Sequence, residues 1–412
     1  MVLHLSTFHR EGGAAVAASR LNRALQNNGI ASQMLVHDSD ITEDNVTPLA
    51  HSKWQKKLAL GRFIGERLAF LPFEKDSSVR FAYSPAVVGN DISGHPLVRK
   101  ADILHLHWIN FGFLSLESLK KLLALGKPVV WTLHDMWTFT GGCHYSRGCN
   151  NYLTHCCNCP YLSRPGQYDV SFEHFEIKAR IYEHANLSLV SPSHWLQQLV
   201  QNAALTNQLS ALSIPNCIDT DIFRPKDKTG IRNRMNLPRD KKLILFAGAN
   251  TLDIRKGFLY FREAMQLLQD ESYEILIFGK SGSNAFDDLG TRVHYLGKIS
   301  EVEYMVDAYN TADLIVVPSL EDNLPNTIME AMACGTPAVG FETGGIGEMI
   351  DHKENGYLAD FKSSVSLAEG IQWVLKNNED KDLSLNAREK VLHNYSEKVV
   401  ADRYTQLYTK LL

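Results

Sequence analysis

Leu314-Ile315-Val316-Val317-Pro318-Ser319 and Pro337-Ala338-Val339-Gly340-Phe341 are two short apolar runs. Between them lies Leu320-Glu321-Asp322-Asn323-Leu324-Pro325-Asn326-Thr327-Ile328-Met329-Glu330-Ala331-Met332-Ala333-Cys334-Gly335-Thr336, which ends in a helical stretch. Strand, loop, helix and strand in this order form the unit that builds a parallel sheet. The same alternation runs outward in both directions. Upstream stand strands at Lys241 to Gly248, Glu274-Ile275-Leu276-Ile277-Phe278-Gly279 and Val293-His294-Tyr295-Leu296-Gly297, with a helix over 257–269. Ser300 and Glu303 have capping-box spacing.

A separate series of the same kind fills the first half. Val2-Leu3-His4-Leu5-Ser6 is followed by Gly12-Gly13 and the small-residue helix Ala14-Ala15-Val16-Ala17-Ala18. Ala31 to Val36, Ile103 to His107, Pro128 to Leu133 and Leu187 to Val190 read as further strands, with a Leu-rich helix at 114–125. Strands alternating with helices predict parallel sheets covered on both faces. Ile214-Pro215-Asn216 and Phe223-Arg224-Pro225 mark a linker. The reading is two doubly wound domains, 1–215 and 216–388, with ligands at the carboxyl ends of the strands in the cleft between them. The segment 389–412 is expected to pack back on the first domain; closure of the second is the alternative.

Composition bounds the function. The 412 residues suit two or three domains. Apolar residues at 44% and charged residues at 21% exclude a mainly disordered chain. Lys and Arg number 42 against 46 Asp and Glu, a formal charge of −4, so a strongly basic nucleic-acid-binding face is not expected. The N-terminus lacks the pattern of a secretory leader, and no apolar run reaches about 18 residues. Seven cysteines form an odd set, which fits a reducing cytoplasm better than a disulfide scaffold. Segment 51–71 combines Lys53, Lys56, Lys57, Arg62 and Arg67 with Trp54, Leu58, Leu60, Phe63, Ile64, Leu68 and Phe70. Such a helix either lies on an anionic membrane or packs on the sheet with its lysines solvated.

Five motifs together carry a resemblance: the glycine-rich first loop, Leu133-His134-Asp135, Ile214-Pro215-Asn216, Arg255-Lys256-Gly257 and Gly344-Gly345-Ile346-Gly347-Glu348, joined to the 318–337 stretch. With these the chain resembles the family 4 glycosyltransferases, especially members that build bacterial capsule, exopolysaccharide and lipopolysaccharide. The resemblance implies an α/β GT-B fold, two Rossmann-like domains facing a central cleft. The first domain, carrying a Cys-rich insertion at 140–165, would bind the acceptor and the second the nucleotide sugar. It implies a retaining transfer from a nucleoside-diphosphate sugar to a glycan or lipid-linked acceptor. A nucleotide-sugar epimerase or phosphorolytic enzyme of the same fold and a non-catalytic sugar-nucleotide-binding protein are the alternatives.

Site residues follow in the same way. The family's paired-acid motif falls on Asp322 and Glu330; by resemblance Glu330 binds the ribose hydroxyls and Asp322 the sugar hydroxyls, aided by backbone N–H groups near Asn323 and Leu324. Arg255 and Lys256, just after the Gly248 turn, supply compact positive charge for the phosphates at a helix start. Gly12 and Gly13 correspond to the loop that approaches donor phosphate and acceptor; a dinucleotide reading lacks the full glycine fingerprint. His134 follows a strand and is the catalytic candidate of the first domain, with His107 a second choice or a structural histidine. No catalytic metal is expected. Cys143, Cys149, Cys156 and Cys159 have spacing that suits structural zinc; an unmetallated thiol-bearing loop and disulfides are the other readings.

Overall fold

The computed structural model describes residues 1–39, 43–250, 253–268, 272–281, 286 and 288–412, and of Ala249 the backbone alone. The chain forms two compact units, Met1–Pro215 with Val400–Leu412, and Asn216–Val399.

The first unit holds seven strands: β1 (Val2–Ser6), β2 (Ser32–Val36), β3 (Val46–Pro48), β4 (Ile103–Leu106), β5 (Val129–Thr132), β6 (Leu187–Ser191) and β7 (Ser210–Ser213). They form one sheet in the order β3-β2-β1-β4-β5-β6-β7, and every pairing is parallel. The second unit holds β8 (Lys242–Asn250), β9 (Tyr273–Lys280), β10 (Val293–Tyr295), β11 (Leu314–Val317), β12 (Ala338–Phe341) and β13 (Gly356–Ala359). Their order is β10-β9-β8-β11-β12-β13, again wholly parallel.

Both sheets are buried on two faces, as their continuous apolar strands require. β1 is buried at all five positions and β11 at all four. In each sheet the strand order reverses once, between β1 and β4 and between β8 and β11. Loops leaving the carboxyl ends on either side of such a reversal diverge to opposite faces and leave a crevice. The Gly12-Gly13, Arg255-Lys256-Gly257 and 318–325 stretches follow β1, β8 and β11 at these reversals, while His134 and Gly344-Gly345 follow β5 and β12.

Three local expectations change. Gly248 is not a turn but lies inside β8, which runs on to Asn250 with an irregular register after Ala247. The 300–303 capping box does not form, because the helix Val302–Thr311 starts one residue late and Glu301 caps it without a side-chain bond. The helix after β8 is Phe258–Leu268; position 269 lies outside the described residues. At the carboxyl end of the chain, the helix Glu397–Leu411 buries Val400, Ala401, Tyr404, Leu407 and Tyr408.

Two glycines hold the loops of the second unit in place. Gly257 has φ +68°, and a β-carbon there would collide with the carbonyl oxygen of Pro318. Gly344 has φ +56°, and its β-carbon would meet the carbonyl oxygen of Asp322. Gly257→Ala is therefore expected to destabilise the second unit by about 1–3 kcal/mol, combining a left-handed backbone with a steric clash. A urea midpoint equal to that of the wild type would contradict this packing.

Candidate active site

The second unit brings candidate groups together at the β8/β11 reversal. After β8 the chain makes a single 3-10 turn, Ile254–Lys256, whose start is capped by Asp253: its carboxylate accepts the Arg255 N–H at 3.0 Å. Glycine at 257 lets this turn press against the loop after β11, and the Leu320 N–H donates to the Arg255 carbonyl at 2.7 Å. Lys256 thereby reaches across and donates from Nζ to Oδ2 of Asp322 at 2.6 Å. The Ser319 hydroxyl donates to the same oxygen at 3.3 Å. The Gly345 N–H, at the next loop, donates to the Asp322 carbonyl at 3.2 Å. Asp322, Asn323 and Leu324 are all buried.

Glu330 lies on the helix Asn326–Ala333 and is buried. The Tyr309 hydroxyl donates to its Oε2 at 2.6 Å. Tyr309 sits near the end of Val302–Thr311 and is itself fully buried. A buried carboxylate needs such a donor to keep its charge and to hold one rotamer. Sequence reading misses Tyr309, because one tyrosine in an amphipathic helix looks like any other core aromatic. Of the two predicted phosphate cations the structure brings only Lys256 to the acid. Arg255 turns to Asp253, pairing at 2.6 Å.

The first unit places His134 just beyond β5, half-buried. Its Nε2 meets Nδ1 of His107 at 3.1 Å, and Nε2 of His107 meets Nδ1 of His4 at 2.9 Å. His4 and His105 are register partners on β1 and β4. His105 and His107 alternate two residues apart and so share a face. His105 stacks on His107 with ring centroids 4.4 Å apart, and its two nitrogens meet the hydroxyls of Tyr408 at 2.6 Å and Thr132 at 2.7 Å. Burial lowers all four: His4 to about 3, His134 to about 4, and His105 and His107 well below the usual value. All four rings are neutral near pH 7.

Asp135 points the other way. It accepts from Trp108 Nε1 at 2.9 Å, from His144 Nδ1 at 2.7 Å and from the Trp137 N–H at 2.8 Å. Burial works against its charge, yet these partners hold its carboxyl below the usual range. Gly12 caps the helix Gly13–Asn27 at the exposed loop after β1.

The cysteine loop brings Cys143, Cys149, Cys156 and Cys159 to the lining of one small pocket. Among the described residues, the group of three or more metal-competent side chains whose ligand atoms come within 4.8 Å of one another is His4, His105 and His107; Cys143, Cys149, Cys156 and Cys159 do not form one. All seven cysteines are free thiols. Burial pushes the Cys156 thiol up to about 11 and Cys159 to about 12. Cys143 and Cys159 pack in a small core with Phe70, Val79, Tyr83, Tyr161 and Leu162. Hydrogen bonds hold the loop: Tyr83 Oη donates to the Gly141 carbonyl at 2.9 Å, and Lys178 Nζ to that of Thr140 at 3.0 Å. Asp169 accepts the Cys159 N–H at 2.9 Å. These contacts tie the segment to the body of the first unit.

Comparison with known proteins places these units. Residues 11–222 match the family model described as Glycosyltransferase Family 4, and residues 241–377 the model described as Glycosyl transferases group 1. An uncharacterised glycosyltransferase of Methanocaldococcus jannaschii is 25% identical over 77% of this chain and 85% of its own. The N,N'-diacetylbacillosaminyl-diphospho-undecaprenol alpha-1,3-N-acetylgalactosaminyltransferase of Campylobacter jejuni is 31% identical over 43% of this chain and 47% of its own. The structure of HepE from Anabaena in complex with UDP-glucose shares the GT-B fold, with a TM-score of 0.65 at 14% identity over 99% of each chain.

The neutral histidines make the first unit acid-labile. His4, His37, His134 and His174 are held by burial at about 3, 4, 4 and 4, below the ordinary 6.5. Below pH 6.5 the unfolded chain takes up protons that the folded one refuses, so stability is full above that pH and falls from there toward pH 4. The expected slope is about 1.4 kcal/mol per pH unit for each such histidine. Thermal unfolding between pH 7.5 and 5 reads this before most carboxylates titrate; an unchanged midpoint would refute it.

Proposed function

Since the chain belongs to glycosyltransferase family 4, we propose that it moves a sugar, with retention, from a nucleoside-diphosphate donor to a glycan or lipid-linked acceptor in surface-polysaccharide assembly. The observation that carries this reading is the Lys256–Asp322 pair at the β8/β11 reversal, with the Tyr309–Glu330 pair on the two helices that precede and follow β11. The donor's diphosphate is a compact dianion, and Lys256 is the cation nearest to hand for it. As the phosphates draw Lys256, the Asp322 carboxylate is freed to accept hydroxyls of the sugar. Glu330, fixed by Tyr309, accepts from the ribose.

In the first unit, His134 meets the sugar and the acceptor hydroxyl approaches the face from which the diphosphate leaves. The anomeric C–O bond to phosphate breaks as the acceptor oxygen bonds to carbon. The acceptor proton passes to the departing phosphate oxygen. Lys256, with Arg255 beside it in sequence, stabilises the charge that builds there. Positive side chains do this work, so no divalent cation is assigned to the phosphates. The Anabaena structure, whose ligand is UDP-glucose, supports a uridine donor; the Campylobacter enzyme, whose name carries a diphospho-undecaprenol substrate, supports a lipid-linked acceptor.

An acceptor on a lipid requires the enzyme to reach an interface at the cytoplasmic face of the membrane. No helix among the described residues is long and apolar enough to cross one. The helix Lys53–Phe70 supports peripheral contact instead. It buries Ala59, Glu66, Arg67 and Phe70; Arg67 pairs with its neighbour Glu66 at 2.9 Å and anchors the helix through the Tyr83 carbonyl at 3.0 Å. The opposite side leaves Trp54, Leu60 and Leu68 exposed at 69%, 57% and 59%, together with Leu58 and Ile64. A helix that merely packs on a sheet would turn those residues inward. Lys53 and Lys57 border them and suit anionic headgroups.

Lys256→Ala is expected to weaken UDP binding about tenfold to a hundredfold, the worth of a charge-assisted contact, while free glucose is unaffected. Calorimetric titration with UDP, ADP and GDP checks this; unchanged affinity for every one of them would sink the assignment. Wild type is expected to sediment with phosphatidylglycerol vesicles at low salt and to release as salt rises. Changing Lys53, Lys56 and Lys57 together to Glu should abolish sedimentation and leave UDP binding intact. Absence of any vesicle binding by the wild type would show the segment to be an ordinary surface helix.

A further inference from the structure

The histidine stack beneath His134 is more than filler. His134, His107 and His4 form one line of two hydrogen bonds, 3.1 and 2.9 Å long, running from the loop after β5 into the sheet. The inner end of that line is His4 Nε2, which is buried and has no hydrogen-bond partner among the described residues. Three neutral imidazoles carry three N–H protons. Two of them occupy the two N···N bonds. The third sits at one end of the line, either on His4 Nε2 or on His134 Nδ1.

The two ends are not equivalent. An N–H at His4 Nε2 would be a buried donor without an acceptor, whereas a bare nitrogen lone pair there is the milder deficit. His134 is half-buried at the outer end. The proton arrangement that avoids the orphan runs one way: His4 Nδ1–H donates to His107 Nε2, and His107 Nδ1–H donates to His134 Nε2. The remaining proton then lies on His134 Nδ1.

We propose that His107 and His4 are positioning residues that hold His134 as its Nδ1–H tautomer, so that the ring offers substrate a hydrogen-bond donor and not a base. The substrate half of this statement rests on the reading of His134 given above; the tautomer does not. Which nitrogen carries the proton is set by the bond the other one makes. His105 takes no part in the line. Its nitrogens are held by Tyr408 and Thr132, and the Thr132 hydroxyl in turn meets that of Tyr404 at 2.8 Å. Through these two tyrosines the helix Glu397–Leu411 fixes the ring against which His4 and His107 stack, with centroids 4.7 and 4.4 Å away.

Coordination of a metal by His4, His105 and His107 is the competing use of the cluster. A metal requires ring lone pairs to converge on one point at about 2 Å. Here His105 lies over His107 with centroids 4.4 Å apart and is tilted against His4, while His4 and His107 meet edge to edge through their N···N bond. Both nitrogens of His105 and of His107 already have hydrogen-bond partners. The line of His134, His107 and His4 leaves all of those contacts in place; a metal shared by the three rings would break some of them.

The test is the ring-nitrogen NMR spectrum of the full chain labelled with 15N-histidine, His134 being assigned by its loss in His134→Gln. In the wild type without ligand, His134 is expected to be protonated at Nδ1 and bare at Nε2 by about tenfold or more, the ratio set by an orphaned buried donor. His107→Phe removes the donor to Nε2 and is expected to move the proton to Nε2. His107→Asn places an amide N–H where Nδ1–H stood and is expected to restore the wild-type tautomer. A wild-type His134 that is protonated at Nε2, or charged, overturns the proposal, and this measurement needs no variant at 107 to fold. Equal spectra for His107→Phe and His107→Asn also overturn it. Titration with UDP-glucose separates the two readings: a His134 signal with the expected tautomer that never responds to the donor supports the relay while removing His134 from the substrate site.

Discussion

Everything at the candidate site of the second unit depends on one close approach of two backbones. The turn after β8 and the loop after β11 touch where Gly257 lies against Pro318, and the Leu320 N–H closes the contact on the Arg255 carbonyl. No other residue type fits at 257, because the position combines a left-handed backbone with a carbonyl oxygen where a β-carbon would stand. Gly344 does the same from the opposite side, against the Asp322 carbonyl. Asp322 is thus clamped by backbone on both flanks, and its side chain has one direction left. A carboxylate held that way meets Lys256 without the entropy of a search, which is what a preorganised site requires.

The first unit solves a different problem. Its sheet must be apolar on both faces, yet its central strands carry His4, His105 and His107. Burying imidazole is tolerable when the ring is neutral and its nitrogens are bonded. The stack meets both conditions by letting the histidines satisfy one another and by drawing two tyrosine hydroxyls from the C-terminal helix. The surplus appears at one atom, His4 Nε2. A cost left at the inner end gives the line its direction.

The cysteine segment shows what spacing alone leaves open. Thiols at 143, 149, 156 and 159 have a plausible ligand pattern, but spacing along the chain does not say which way Sγ atoms point. Here Cys143 and Cys159 pack with Phe70, Tyr83 and Tyr161, while all four thiols line one small pocket. The cost of ordering a long loop is met instead by Lys178, Asp169 and Tyr83, each bonding backbone groups of the segment.

Apolar runs, glycines and prolines are local signals, so the alternating strands, the linker near 215 and the glycosyltransferase family were all legible in the sequence. Asp322, Glu330, Lys256 and His134 stood out as candidates, because each belongs to a short motif. Groups that act from a distance did not. Tyr309 reaches Glu330 from another helix, and Tyr408 reaches His105 from 303 residues away. His4 becomes a partner of His105 only through strand register. The apolar side of Lys53–Phe70 was ambiguous for a related reason: periodicity reports that a face exists, but the packing of Glu66, Arg67 and Phe70 decides which face turns inward. Sequence determined what each segment would be, because backbone preference and hydrophobic pattern are properties of neighbours along the chain. Which side chains share a proton, a charge or a buried surface was decided by tertiary structure, because hydrogen bonds and desolvation depend on distance in space and not on separation in sequence.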